Sequence, residues 1–143
     1  MDLKPYYRKP NFYETDGMGI IYHANYVHWM EEARVHFMEE MGFGYEKALV
    51  AGIDFALVSI SCKYRSMTRF GQTVKIEMNI IQLSPARMTV GYRMTDAETG
   101  ELRCEAESEH FFYDRAKGRP VALKRAIPAL YEKFSALAQE SRG

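Results

Sequence analysis

Two cysteines are too few for a disulfide framework or for a zinc site of their own. Cys62 and Cys104 both stand in strand-like runs among apolar neighbours, which predicts a pair of buried thiols in a reduced protein. Net charge is also missing, because nineteen Lys and Arg balance nineteen Asp and Glu. A nucleic-acid footprint needs a basic excess, so no nucleic-acid partner is expected, and only a small basic patch for one phosphorylated ligand stays open. No run approaches the roughly 20 apolar residues of a membrane span, and residues 1–7 lack the basic and then apolar stretch of a signal peptide. A cytoplasmic protein is the expectation. Walker A, Gly-x-Gly-x-x-Gly, Gly-x-Ser-x-Gly and His-Glu-x-x-His patterns are all absent, against P-loop and serine-nucleophile enzymes. No repeat or low-complexity linker divides the 143 residues, so one domain is expected over 1–143.

What is present is a change of period. A short strand is expected over Arg8 to Thr15, then a turn-rich piece from Asp16 to Gly19. Tyr26, Met30, Ala33, Phe37 and Met41 then recur at intervals of three and four, the spacing of one helix face. Asn25 is the expected N-cap and Gly42 the C-terminal stop. A second short helix is expected over Tyr45 to Val50. Twofold alternation follows, with Ala56, Val58, Ile60, Cys62 and Tyr64 on one face, then Val74 to Ile80, Met88 to Met94 and Leu102 to Ser108. Each strand has an apolar and a polar face, the mark of an antiparallel sheet covered on one side. A last helix is expected from about Ile127 to Ala138. One long apolar helix and four half-buried strands give an α+β fold with the sheet wrapped around the helix.

Three groups of residues are candidates for chemistry. Asp16 lies nine residues before the helix start at Asn25. Unpaired N–H groups at a helix N-terminus can hold an oxyanion, and a carboxylate placed just before them can attack a carbonyl or activate water. Asp16-Gly17 can equally be a plain turn. His28, Glu32 and His36, spaced four apart, could hold a metal, but Glu40 and the neighbouring Glu31, Arg34 and Glu39 favour a polar helix edge, so no metal is expected. Lys63, Arg65, Arg69 and Arg87 could grip phosphates or serve as ordinary solvated residues. His110 has the parity of an apolar face, which favours a hydrogen-bonded core or interface histidine over a catalytic one.

From Tyr13 to Tyr26, the run Asp16-Gly17-Met18-Gly19-Ile20-Ile21-Tyr22-His23-Ala24-Asn25-Tyr26 closely resembles the 4-hydroxybenzoyl-CoA thioesterase family, and within it the YbgC-like acyl-CoA thioesterases. The family pattern spaces Asp and Gly by three residues; here Gly19 follows after two. The resemblance extends from about Lys9 to Leu130. It implies the hotdog fold, an antiparallel sheet wrapped around one long central helix, in dimers or tetramers with sites at subunit interfaces. It also implies hydrolysis of an acyl-CoA to free acid and CoA, without a cofactor. Asp16 would be nucleophile or general base, and the His23 N–H would polarise the carbonyl, with the His23 side chain a further catalytic participant. Gly19, Tyr22 and Tyr26 would lie on the substrate, and Arg65, Arg69 and Arg87 would meet CoA phosphates. Glu31 falls where the hydroxybenzoyl-specific enzyme keeps a carboxylate. Phe12 stands where YbgC-like members often have a tyrosine. The alternatives are a non-catalytic acyl-CoA-binding module, a hydratase, and a thioesterase acting on acyl carrier protein; an intact Asp16 speaks against the first, and no paired His and acid motif supports the second.

Overall fold

The structure, a computed structural model, describes residues 3–142. Its strands are β1 (Tyr6–Arg8), β2 (Ile53–Tyr64), β3 (Val74–Leu83), β4 (Arg87–Asp96), β5 (Leu102–Asp114) and β6 (Arg119–Pro120). They form one antiparallel sheet in the order β1-β3-β4-β5-β2, with β6 pairing with β5. The helices are α1 (Asn25–Glu40), α2 (Tyr45–Ala51), α3 (Leu123–Ala126) and α4 (Pro128–Arg142). This is the expected α+β hotdog arrangement, with one addition. The sheet's apolar face is covered by α4 as well as α1, and the Phe37 and Phe134 rings stack at 6.0 Å between them.

Trp29, Met30, Ala33 and Phe37 of α1 share one core with Val74, Ile76 and Ile80 of β3, Val90 and Met94 of β4, and Phe112 of β5. Burying apolar area of this kind is the main favourable term in folding. Helix α1 ends as expected: Gly42 takes φ +77°, and the Phe43 N–H donates to the Met38 carbonyl at 2.9 Å, which closes the last turn. Its start is different. Asn25 is the first helical residue, Ala24 is the cap, and the Asn25 side-chain amide donates to the Glu14 carbonyl at 2.8 Å instead of accepting from the helix.

Two expected elements need correction. The strand expected over Arg8 to Thr15 is instead β1 followed by a single 3-10 turn over Phe12–Glu14. Pro10 has no N–H to give a ladder, and the Glu14 carboxylate takes the Asn11 N–H at 2.8 Å, which favours the turn. In β2, Leu57 pairs with His110 and Ser59 with Glu109, so Val58 is an extra residue. Such a bulge reverses the faces of the strand. Ile53 and Phe55 therefore join the core before it and Ile60 and Cys62 after it, while Val58 is exposed.

Candidate active site

The segment before α1 is a hairpin held from below by one carboxylate. Glu14 is buried and receives Arg8 in a two-bonded ion pair at 2.8 and 3.0 Å. It also receives the Trp29 indole N–H and the Asn11 N–H, both at 2.8 Å. Burial by itself would raise the carboxyl pKa, but the Asn11, Trp29 and Arg8 donors outweigh it and the net shift is downward. The Glu14 carbonyl accepts from the Tyr22 N–H and the Asn25 amide, so one residue ties β1, the hairpin and α1 together. The sequence reading missed it. The available signal was Asn11 followed three residues later by Glu14, the spacing of a capping pair.

Above this anchor the chain turns at Asp16–Gly19. Thr15 bridges Ile21, and the Asp16 N–H donates to the Ile20 carbonyl at 2.9 Å. The Asp16 carboxylate is exposed and accepts the Met18 N–H at 3.0 Å. Gly19 takes φ +77°, a region that costs other L-residues about 1–2 kcal/mol. That gives Gly19 a conformational reason besides substrate contact. Ile20 then bridges Arg69, and the Phe70 N–H donates to the Gly19 carbonyl at 2.8 Å, which docks the turn on the loop after β2.

His23 lies two residues before α1. Among the described residues its N–H, like that of Ala24, donates to no backbone or side-chain acceptor, whereas the flanking Tyr22 and Asn25 N–H groups are both used. A helix N-terminus with free N–H groups is a ready anion site. The His23 carbonyl accepts the Tyr64 hydroxyl at 3.0 Å, and the His23 ring lies 4.4 Å from Tyr22 and 6.2 Å, edge to face, from Tyr64. Tyr64 thereby holds the candidate site's turn in place, a contact that its strand position alone does not reveal. Asp16, Gly19, Tyr22 and His23 thus share one hairpin, in the chain order expected.

Other expected site residues take different places. Tyr26 is buried at 3% exposure, and its hydroxyl donates to buried Thr68 at 2.9 Å, so it braces α1 against the loop and offers substrate no free surface. Arg87 pairs with Glu109 at 2.7 Å beside Phe111, at the far end of β5 from the hairpin, and so does not join the others in one chain. Arg65 pairs with Glu105 at 3.1 Å near the hairpin end of the sheet. Arg69 bridges Ile20, and among the described residues its guanidinium has no carboxylate partner. Glu32 is taken by Arg8 at 2.7 Å and Tyr6 at 2.9 Å, and His36 by Glu40 at 2.6 Å, which disperses the helical His/Glu stripe. Both cysteines are free: Cys104 is buried and Cys62 half-buried, with its thiol 3.8 Å from the Met30 sulfur.

A second residue missed in sequence shapes the floor. Arg103 is the extra residue where β4 and β5 change register, and it is buried instead of lying on the polar face. It pairs with Asp96 at 3.3 Å and donates to Ser66 and Gln72 at 3.1 and 3.2 Å. It therefore fixes the loop on which Thr68 and Arg69 stand.

A family model, the thioesterase-like superfamily, matches residues 10–134. The chain is 32% identical over 123 residues to the Bacillus subtilis (strain 168) protein named "Putative acyl-CoA thioesterase YneP", covering 84% of this chain and 88% of that one. It is 27% identical to the acyl-CoA thioester hydrolase YbgC of Escherichia coli O157:H7, covering 85% of this chain and 91% of that protein. Among solved structures, the DHNA-CoA thioesterase from Staphylococcus aureus superposes with a TM-score of 0.86 at 28% identity, over 96% of this chain and 94% of that one.

Proposed function

This chain belongs to the thioesterase-like superfamily and is a thioester hydrolase, and on that premise we propose that it converts an acyl-CoA to the free acid and CoA with Asp16 as the reacting carboxylate. The observation that carries the reading is the pair of unused N–H groups at His23 and Ala24, next to the hairpin that presents Asp16. In the general-base form, water attacks the thioester carbonyl and gives its proton to Asp16. The carbonyl oxygen becomes an oxyanion held by the His23 N–H. The intermediate then collapses, the C–S bond breaks, and the CoA thiolate takes the proton back from Asp16. In the nucleophilic form, Asp16 displaces the thiolate itself and water hydrolyses the resulting anhydride. A thioester is activated toward acyl transfer, and ordinary carboxylates are ionised at neutral pH, so neither form requires a cofactor. The His23 ring and Tyr22 would border the reacting group, and Arg69 and Arg65 would meet CoA phosphates.

The working unit in this reading is a homodimer of single domains, 1–143, and a tetramer would be built from two such dimers. Strand β2 ends the sheet, pairs only with β5 among the described strands, and leaves Leu57 and Val58 exposed at 51% and 44%. A long apolar edge strand is a template for pairing with another chain. Among the described residues no helix is long and apolar enough to cross a membrane, which agrees with a cytoplasmic acyl-CoA hydrolase. The direct test is thiol release from a panel of short, long and aromatic acyl-CoAs. Turnover of at least one is expected. Binding of acyl-CoA without any turnover would contradict the reading in favour of a binding module, and turnover of acyl carrier protein thioesters alone would move the substrate class.

A further inference from the structure

The chain carries no net charge, yet its basic residues are unevenly placed. From Arg115 to Ala126 there are five Lys or Arg and no Asp or Glu. All five are exposed, along the turn after β5, β6 and α3. Among the described residues only Arg115 of the five has a carboxylate partner, Asp54 at 3.0 Å. Lys117, Arg119 and Arg125 stand around one hollow of about 370 Å³ in which Asp114 is the only acid among the described lining residues. Asp114 already accepts the Lys117 N–H at 3.1 Å. Like charges gathered without counter-charges repel, a cost that an anionic partner relieves.

This strip adjoins an apolar patch. Helix α2 has no buried residue, and it exposes Tyr45 at 71%, Leu49 at 45% and Val50 at 90%. The turn after β5 is fastened to the end of that helix. The Arg115 N–H donates to the Gly52 carbonyl at 2.9 Å, and its guanidinium donates to the Ala48 carbonyl at 3.2 Å. Leu49 and Val50 therefore lie next to the start of the basic strip. Single exposed apolar side chains are ordinary, but a cluster of them bordered by charge of one sign marks an interaction surface.

A free phosphate or a run of acidic side chains would engage the strip and leave the α2 side chains in water. A bilayer with anionic headgroups satisfies both parts. Its phosphates meet the cations, and the aromatic and aliphatic side chains enter the boundary between headgroups and acyl chains. We propose that this face docks on an anionic lipid surface. Binding is peripheral and reversible, because it joins a few charges to a small apolar area and inserts no spanning helix. The docking is independent of the thioesterase reading; taken with it, it would hold a hydrolase where long acyl-CoAs, themselves amphiphiles, collect.

The test is co-sedimentation of the full chain with vesicles of phosphatidylcholine alone and of equal parts phosphatidylcholine and phosphatidylglycerol. Binding is expected to the mixed vesicles only and to weaken as salt is raised. Lys117→Glu with Arg119→Glu should lower the partition about tenfold or more. Leu49→Ser with Val50→Ser should lower it about fivefold at unchanged charge, which attraction between charges alone would not produce. All four positions are exposed, and circular dichroism checks that the fold is kept; should the charge reversal unfold the chain, Lys117→Gln with Arg119→Gln replaces it. No binding, equal binding to both vesicles, or binding that survives either pair of substitutions overturns the proposal. Binding of soluble polyglutamate without binding of vesicles also overturns it, in favour of an acidic protein partner. Full displacement from the vesicles by saturating CoA overturns it too, because the strip then belongs to the CoA phosphates.

Discussion

Glu14 does more structural work than any other single side chain near the site, because three elements depend on its carboxylate and carbonyl. Replacing Trp29 with Phe keeps the ring in the core but removes one donor to a buried anion, an expected cost of about 1–3 kcal/mol in urea unfolding. The pH dependence has a definite sign. A carboxyl whose folded pKa lies below its unfolded value of about 4.3 contributes stability fully above that value and loses it as pH falls through the folded pKa. Glu14→Gln should therefore be less stable than wild type at neutral pH, and the gap should narrow below about pH 4. A gap independent of pH, measured by thermal unfolding, would show that the cost is packing alone.

At the scale of elements, two tyrosine hydroxyls tie the start of α1 to β2 and the loop that follows it, and they have separable effects. Tyr26 bonds to Thr68 beneath the surface, whereas Tyr64 bonds to the His23 carbonyl at the exposed turn. Tyr26→Phe should lower stability by about 1 kcal/mol. Tyr64→Phe should leave stability nearly unchanged and lower kcat several-fold with little change in KM, because the turn that positions the His23 N–H loosens; a loss confined to the unfolding midpoint would contradict this. The elements themselves were largely legible in the sequence. The period of three to four over Tyr26–Met41 and the alternation in β3, β4 and β5 follow directly from which faces are buried. What was not legible depends on a register change. Val58 reverses the faces of β2, and Arg103, read as a polar-face residue, turns inward as an extra residue between β4 and β5. Neither is a property of its own strand; each arises from the strand beside it. The hairpin from Asp16 to His23 was legible through its resemblance to a family, since Asp-Gly alone also describes an ordinary turn. Tyr26 shows the converse, because its type and neighbourhood suggest ligand contact while burial and its bond to Thr68 make it a brace.

At the scale of the whole molecule, the proposed dimer would join through the free β2 edge at one end of the sheet. Leu57→Lys places a charge on the exposed edge without disturbing the core. Sedimentation should then show a shift from dimer toward monomer at low micromolar concentration, with the circular dichroism of the fold retained. A dimer of unchanged affinity would place the interface elsewhere. The central claim concerns Asp16, and it is tested most directly by Asp16→Asn, measured as thiol release from the best acyl-CoA of the panel alongside the affinity of the same ligand. The carboxamide keeps the size and the Met18 contact but cannot take a proton. A fall in kcat of about 10²–10⁴ with binding and folding intact is the predicted result. A variant that hydrolyses the thioester within a few-fold of wild type would contradict it.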